Sequence, residues 1–278
     1  MKKKIRINSL TYFFCFSACI TGMFKEFLIL FSIIILHELG HVIAIKYFNY
    51  KIDYIEILPV GGITKINKDI NSSINHEIII SLAGITMQLA LFILVSFFYQ
   101  RNFLSMDFYF LFNKYNFSIM LFNLIPIIPL DGSIFFKSLL EKVFSFRLAN
   151  FISIIFSIIN LGFFVYFNYI LELNNYVICL FLLYKVINYL KDFKYIYNRF
   201  LLERYLKDYN FSKIKVIDKV KRMSKEKKHY ILKDNRIVKE HEFLRNYFNK
   251  WLFDIIYIIW YNYLRLKSFL QKTALKRF

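Results

Sequence analysis

The chain has 278 residues, 58% of them hydrophobic, with a mean hydropathy of +0.43 and a formal net charge of +19. Such a composition excludes an ordinary soluble domain and defines a membrane protein, and three cysteines, Cys15, Cys19 and Cys179, exclude a disulfide framework. The positive charge, which in a soluble chain would suggest nucleic acid, is concentrated in a polar tail: residues 201–278 hold twenty Lys/Arg against eight Asp/Glu, a pattern that faces anionic lipid or an acidic partner rather than nucleic acid.

Taken from the start, the basic stretch Met1 to Arg6 and the apolar run from about 9 to 24 read as a first membrane helix or a signal peptide. Cys15 and Cys19 share a helical face in this run, as small packing residues or as ligands of a soft ion. A second helix, about 27 to 46, carries His37-Glu38-Leu39-Gly40-His41, and Glu38 is the only acid between Glu26 and Asp53. A charge at that depth costs about 2.5 to 3.5 kcal/mol on insertion scales, so an ionisable group there marks a functional site. On a helix His37 and His41 stand one turn apart, about 6 Å along the axis, on one face where two imidazoles can share an ion. Glu38 follows the first histidine and sits beside such a site. This is the layout of a zinc hydrolase, with two histidine ligands and a carboxylate that takes a proton from metal-activated water.

Residues 50 to 67 alternate in part between apolar and polar, with a turn at Pro59-Val60-Gly61-Gly62, and predict a membrane-associated β-hairpin whose free edge can hold an extended peptide. A third helix, about 77 to 98, contains Ala83, Gly84 and Gln88, where the small residues permit close helix approach. His76 precedes it in a polar loop and reads as solvated. The fourth segment, about 108 to 140, is broken by Pro126 and Pro129, which free backbone carbonyls that lipid cannot satisfy. Asp131 is its only acid between Asp107 and Glu141, and a buried carboxylate needs a counter-charge. Two more apolar runs, about 148 to 168 and 174 to 190, bring the expected count to six helices. The lysines and arginines then place both termini in the cytoplasm. In that topology His41 lies five residues before Lys46 and Asp131 six before Lys137, so they reach similar depth, as a His-His-Asp zinc site with one open position requires.

Together these motifs resemble the site-2 protease family of intramembrane metalloproteases: HELGH at 37–41, Leu58 to Gly62, Ala83-Gly84 with Gln88, and Asn123 through Pro126 and Pro129 to Leu130-Asp131-Gly132. The six-helix layout and the segment Phe200 to Tyr205 resemble the family's sporulation branch, which releases a membrane-tethered pro-sigma factor from the outer forespore membrane. The resemblance implies zinc on His37, His41 and Asp131, with Glu38 activating water. It also implies substrate contacts at Pro59, Gly61, Gly62 and Asn123, the last binding the peptide or polarising its carbonyl. A helix-to-helix hydrogen bond is the other use for Asn123. Ser133 and Ile85 depart from the family pattern, at positions where glycine and proline are usual.

Residues of about 211 to 248 resemble one cystathionine-β-synthase (CBS) module, with strands near Lys215 to Asp218 and His229 to Leu232, a turn at Lys233 to Arg236 and a helix from Glu240. That resemblance implies ATP binding and pairing into a homo-oligomer; a plain basic α/β tail is the other reading. Residues 251–278 read as an interfacial amphipathic segment. The expected organisation is a transmembrane metalloprotease domain over 1–195, a cytoplasmic linker and CBS-like module over 196–250, and the basic segment 251–278. The expected function is release of a pro-sigma factor under the control of inhibitory membrane partners. The alternatives are a site-2-type protease of an anti-sigma factor or signal-peptide remnant, and a non-proteolytic scaffold or metal transporter.

Overall fold

A computed structural model of the chain describes residues 5–7, 9–58, 61–168, 173–233 and 236–249. Pro59 and the segment 251–278 lie outside them. Four helices, α1 (Ser9–Ile20), α2 (Phe24–Tyr47), α3 (Ile74–Gln100) and α4 (Met106–Leu124), are followed by α5 (Asp131–Val143), α6 (Phe146–Asn168) and α7 (Leu173–Leu206). A first sheet joins β1 (Ile5–Ile7), parallel to β2 (Lys51–Leu58), with β3 (Gly61–Asn67) antiparallel on its other side. A second sheet runs β4 (Lys213–Ile217), β5 (Lys227–Lys233), β6 (Arg236–Lys239), followed by helix α8 over 240–249. The strands and helix of this C-terminal lobe stand where the sequence places them.

Among the described residues three helices are long and apolar enough to cross a membrane: Phe24–Tyr47, Ile74–Gln100 and Phe146–Tyr166. Of the other expected crossings, α1 has only 12 described residues, and the fourth is split into α4 and α5. The split follows from the prolines: Pro126 and Pro129 have no N–H to donate, so the helix stops at Leu124 and restarts at Asp131. The six residues between are satisfied locally. Leu130 N–H donates to Ile127 O at 2.7 Å, Ile128 N–H to Ser157 Oγ of α6 at 3.2 Å, and Ser157 in turn reaches Pro126 O at 3.4 Å. Irregular backbone at membrane depth survives only when protein supplies such partners.

The buried face of α2 runs through Ile29, Ile33, His37, His41 and Ile45, one residue per turn, so the apolar packing that fixes the helix also fixes both histidines. Ile29 and Ile33 pack with Val95 of α3 and Phe112 of α4. The last helix does not end near residue 190. It continues to Leu206, because no glycine or proline interrupts it and Tyr197, Phe200 and Leu201 give its distal part a new buried face. That face packs with Phe146 of α6 and with Ile217, Met223, Ile231, Leu244 and Phe248 of the lobe.

Arg204 completes the junction. Its guanidinium pairs with Glu240 and donates to Asn71 Oδ1 at 3.3 Å and Ser224 O at 3.2 Å. Burial raises the Glu240 pKa, but bonds from His229 and Arg204 outweigh it and hold the carboxyl down to about 2. Burial holds His229 below its usual 6.5. Both native pKa values lie below their unfolded ones, so unfolding takes up protons in acid. The contribution is complete above about pH 6.5 and lost as pH falls toward 2. The lobe is therefore expected to release before the membrane helices unfold on acidification, read as tryptic cleavage within 207–233 while α2 and α3 stay protected.

Candidate active site

The site begins with the helix α2 stripe and a close approach to α3. A Cβ added at Gly84 would lie 2.4 Å from Cε1 of His37, so glycine alone lets the imidazole lie against α3. Two acceptors on α3 then fix both rings. His37 Nδ1 is 3.1 Å from Gln88 Oε1, and His41 Nδ1 is 2.7 Å from the carbonyl oxygen of Ile80. Oxygens of that kind accept, so each Nδ1 carries the proton and each Nε2 presents a lone pair.

The broken traverse brings the third group. Gly132 allows the start of α5 to lie on the end of α4, since a Cβ there would sit 2.2 Å from Leu124 O. Asp131, first residue of α5, places Oδ2 at 3.0 Å from both Nε2 atoms, which are 3.1 Å from each other. Three possible ligand atoms thus converge around a carboxylate that needs an opposite charge, in a site where both histidines are buried. A cation resolves this, and ligand atoms on a tetrahedral zinc are about 3.3 Å apart, close to the triangle seen. Two imidazoles and one carboxylate suit zinc better than magnesium or calcium, which prefer all-oxygen sets.

Glu38 is half-buried, its carboxylate within 4.8 Å of the histidine nitrogens, and Oε2 accepts from Thr64 Oγ1 of β3 at 3.1 Å. It stands beside the triangle at a spacing that admits a water. Among the described residues Asn123, in the last turn of α4, makes no side-chain hydrogen bond, so the alternative helix-to-helix bond is not made there and its amide is available. Gly61 and Gly62 open β3 opposite Leu58 and Ile57, at the hairpin end, while Thr64 farther along the same strand reaches the site. The outer edge of β3 pairs with nothing among the described residues.

Sequence reasoning did not assign the supports. Gln88 is fully buried and itself clamped: its Nε2 donates to Asn116 O at 3.3 Å, and Asn116 Nδ2 donates to Gln88 O at 3.0 Å. The available signal was a pair of amides in otherwise apolar helices. His76 is not simply solvated, for it stacks on Phe48 at 3.9 Å and lies 2.9 Å from Tyr50 OH. The Ser133 hydroxyl donates to Leu130 O at 2.7 Å, and Ile85 is buried in the α3 packing. Cys15 and Cys19 are free thiols.

Two imidazoles and a carboxylate that demand a cation, with a second carboxylate beside them and membrane-length helices around them, define a metal-dependent hydrolase set inside a bilayer. The profile of peptidase family M50 matches residues 25–106. The chain is 32% identical over 211 residues to stage IV sporulation protein FB of Bacillus subtilis, covering 73% of this chain and 71% of that protein. It is 30% identical over 125 residues to a zinc metalloprotease of Methanocaldococcus jannaschii, covering 43% of this chain and 35% of the relative. Its fold matches the site-2 protease from the same archaeon with a TM-score of 0.53 at 23% identity, over 68% of this chain and 92% of that one.

The chain belongs to peptidase family M50, the site-2 proteases, and is an intramembrane zinc metalloendopeptidase. Outer supports of metal ligands typically control affinity by 10–100-fold. Gln88→Leu is accordingly expected to weaken zinc binding by about tenfold or more, and Gly84→Ala to weaken it further, measured by competition with a chromogenic chelator on protein of unchanged helix content.

Proposed function

We propose that His37, His41 and Asp131 hold the zinc and that Glu38 is the general base and acid of peptide hydrolysis. The observation that carries this is the convergence of two Nε2 atoms and one carboxylate oxygen, 3.0–3.1 Å apart, with the Glu38 carboxylate beside them. Bound zinc supplies a Lewis acid and lowers the pKa of its water toward 7. Glu38 takes a proton from the attacking water and delivers it to the leaving amine, with Thr64 holding the carboxylate in place. The substrate adds as a strand to the open edge of β3, near Pro59, Gly61 and Gly62, so that its scissile carbonyl faces the site. Asn123, its amide uncommitted, binds that peptide or polarises its carbonyl.

The substrate we infer is a membrane-tethered pro-sigma factor, released during sporulation at the outer forespore membrane. The support is the similarity to the sporulation protein over 211 residues. An anti-sigma factor or signal-peptide remnant is the other substrate class, and a tethered substrate fits the same edge. Membership of a peptidase family removes the transporter and scaffold readings. We place both termini in the cytoplasm, because the end of α2, the start of α3 and the ends of α5 and α7 gather at the basic C-terminal lobe, the side the lysines favour.

The division at 195/196 into protease domain and CBS-like module, the homo-oligomer, inhibitory membrane partners and an anionic-lipid contact for 251–278 belong to the same proposal. ATP binding, which only the resemblance to a CBS module implies, gains no support from the lobe, where Arg222 is already paired with Asp218 at 2.9 Å.

Co-expression with a tethered pro-sigma factor tests this reading. Glu38→Gln is expected to keep its zinc while cleavage falls by about 10²–10⁴-fold, and Asp131→Ala to lose zinc. Shortening of the substrate by Glu38→Gln at the wild-type rate would overturn the mechanism.

A further inference from the structure

A second buried charge cluster, distant in sequence from the metal triangle, ties the C-terminal lobe to the two helices that frame it. Lys225, in the turn before β5, is only 2% exposed. Its ammonium lies 3.0 Å from Glu77 Oε2 of α3 and 3.0 Å from Glu141 Oε2 of α5. Both carboxylates are buried, and Glu77 also receives Lys68 at 2.9 Å. Burial works against the charge on Lys225, yet Glu141 and Glu77 more than offset it and raise its pKa.

The neighbouring residue grips the same helix. Glu226 Oε1 accepts from Ile74 N–H at 2.8 Å and from Ser73 Oγ at 2.9 Å, which sets an anion on the first turn of α3. Glu226 does so from a left-handed backbone, φ 52°, a conformation uncommon for a residue other than glycine. The turn therefore presents a lysine and a glutamate, consecutive in sequence, to one helix end.

What these contacts hold is the frame of the site. Glu77 lies one turn before Ile80, whose carbonyl fixes His41, and two turns before Gly84, on which His37 rests. Glu141 lies on the same 13-residue helix that begins with Asp131. We propose that the Lys225–Glu226 turn is a positioning device: docking of the lobe through it sets the separation of α3 from α5, and so of the histidines from Asp131. Undocking the lobe loosens the grip on the metal, which makes the lobe a control element of the protease. This rests on the reading of Asp131 as a ligand.

The test uses the full chain in lipid nanodiscs. Removing Lys225 alone would leave buried Glu141 without its ion pair and Glu77 with Lys68 only, so the triple variant is Lys225→Met with Glu141→Gln and Lys68→Arg, which keeps a cation on Glu77, beside Lys225→Arg. Zinc is expected to leave to a chelator about tenfold faster from the triple variant, with Lys225→Arg near wild type. In metal-free protein, amide exchange over 131–143 is expected to quicken while α4, which makes no bond to the lobe among the described residues, is unchanged, an outcome that a general loss of stability would not produce. Equal zinc release and equal exchange in triple variant and wild type would overturn the proposal. If wild-type protein bound no zinc, the ligand reading would fall by itself, and the exchange measurement would still decide whether the turn holds α5.

Discussion

The constraint on which the structure depends is that two buried imidazoles and a carboxylate meet inside a membrane domain. Their Nε2, Nε2 and Oδ2 atoms lie within 3.1 Å of one another and need a shared positive charge, a proton or a metal ion, to stay there. Lipid offers no solvent to stand in for it. Everything around the triangle either delivers one of these atoms or stops it from turning away. Helix α2 delivers two from a stripe of isoleucines, and α3 keeps their protons on the far side through Gln88 and the Ile80 carbonyl. The third arrives only because the fourth traverse is broken.

That break shows how a membrane protein accommodates a functional irregularity. A continuous helix from α4 into α5 would satisfy its backbone but would not start a helix at Asp131. The prolines interrupt it, and the freed groups are taken up by turns and by Ser157 of α6. Fully buried Gln88 and Asn116 exchange amide and backbone bonds across α3 and α4. These reciprocal bonds hold the two helices in one register, although Asn116 Oδ1 itself is buried without a partner among the described residues, and a fixed surround is what a metal ligand needs.

Much of this was legible in the residues, and the reason is chemical. HELGH and Asp131 stand out because charge is costly in an apolar run, and Pro126, Pro129, Gly84 and Gly132 because each permits a backbone path other residues forbid. The hairpin and the strands of the lobe were legible from alternation and turns. Contacts whose meaning lies in the partner were not: Thr64 on Glu38, Asn116 on Gln88, the Ile80 carbonyl, and Lys225 between two acids. The length of α7 was missed because hydropathy ends near residue 190 while helical packing does not, its later face being buried against protein. Among the described residues, three of the six expected crossings carry the length and apolarity of a span.

The hairpin has one further consequence. Strands β2 and β3 slip register between Ile52 and Tyr54, so that Asp53 is an extra residue on β2. Side chains alternate faces along a strand, and a shift of a single residue turns every one of them over. Thr64 meets Glu38 from β3, whose outer edge is also the proposed seat of the substrate. The spacing from the end of α2 to Thr64 therefore acts as a calliper, setting the pose of the base and the phase of the bound peptide by the same residue count. Chain length in this hairpin, more than the identity of most of its side chains, then sets where base and peptide meet.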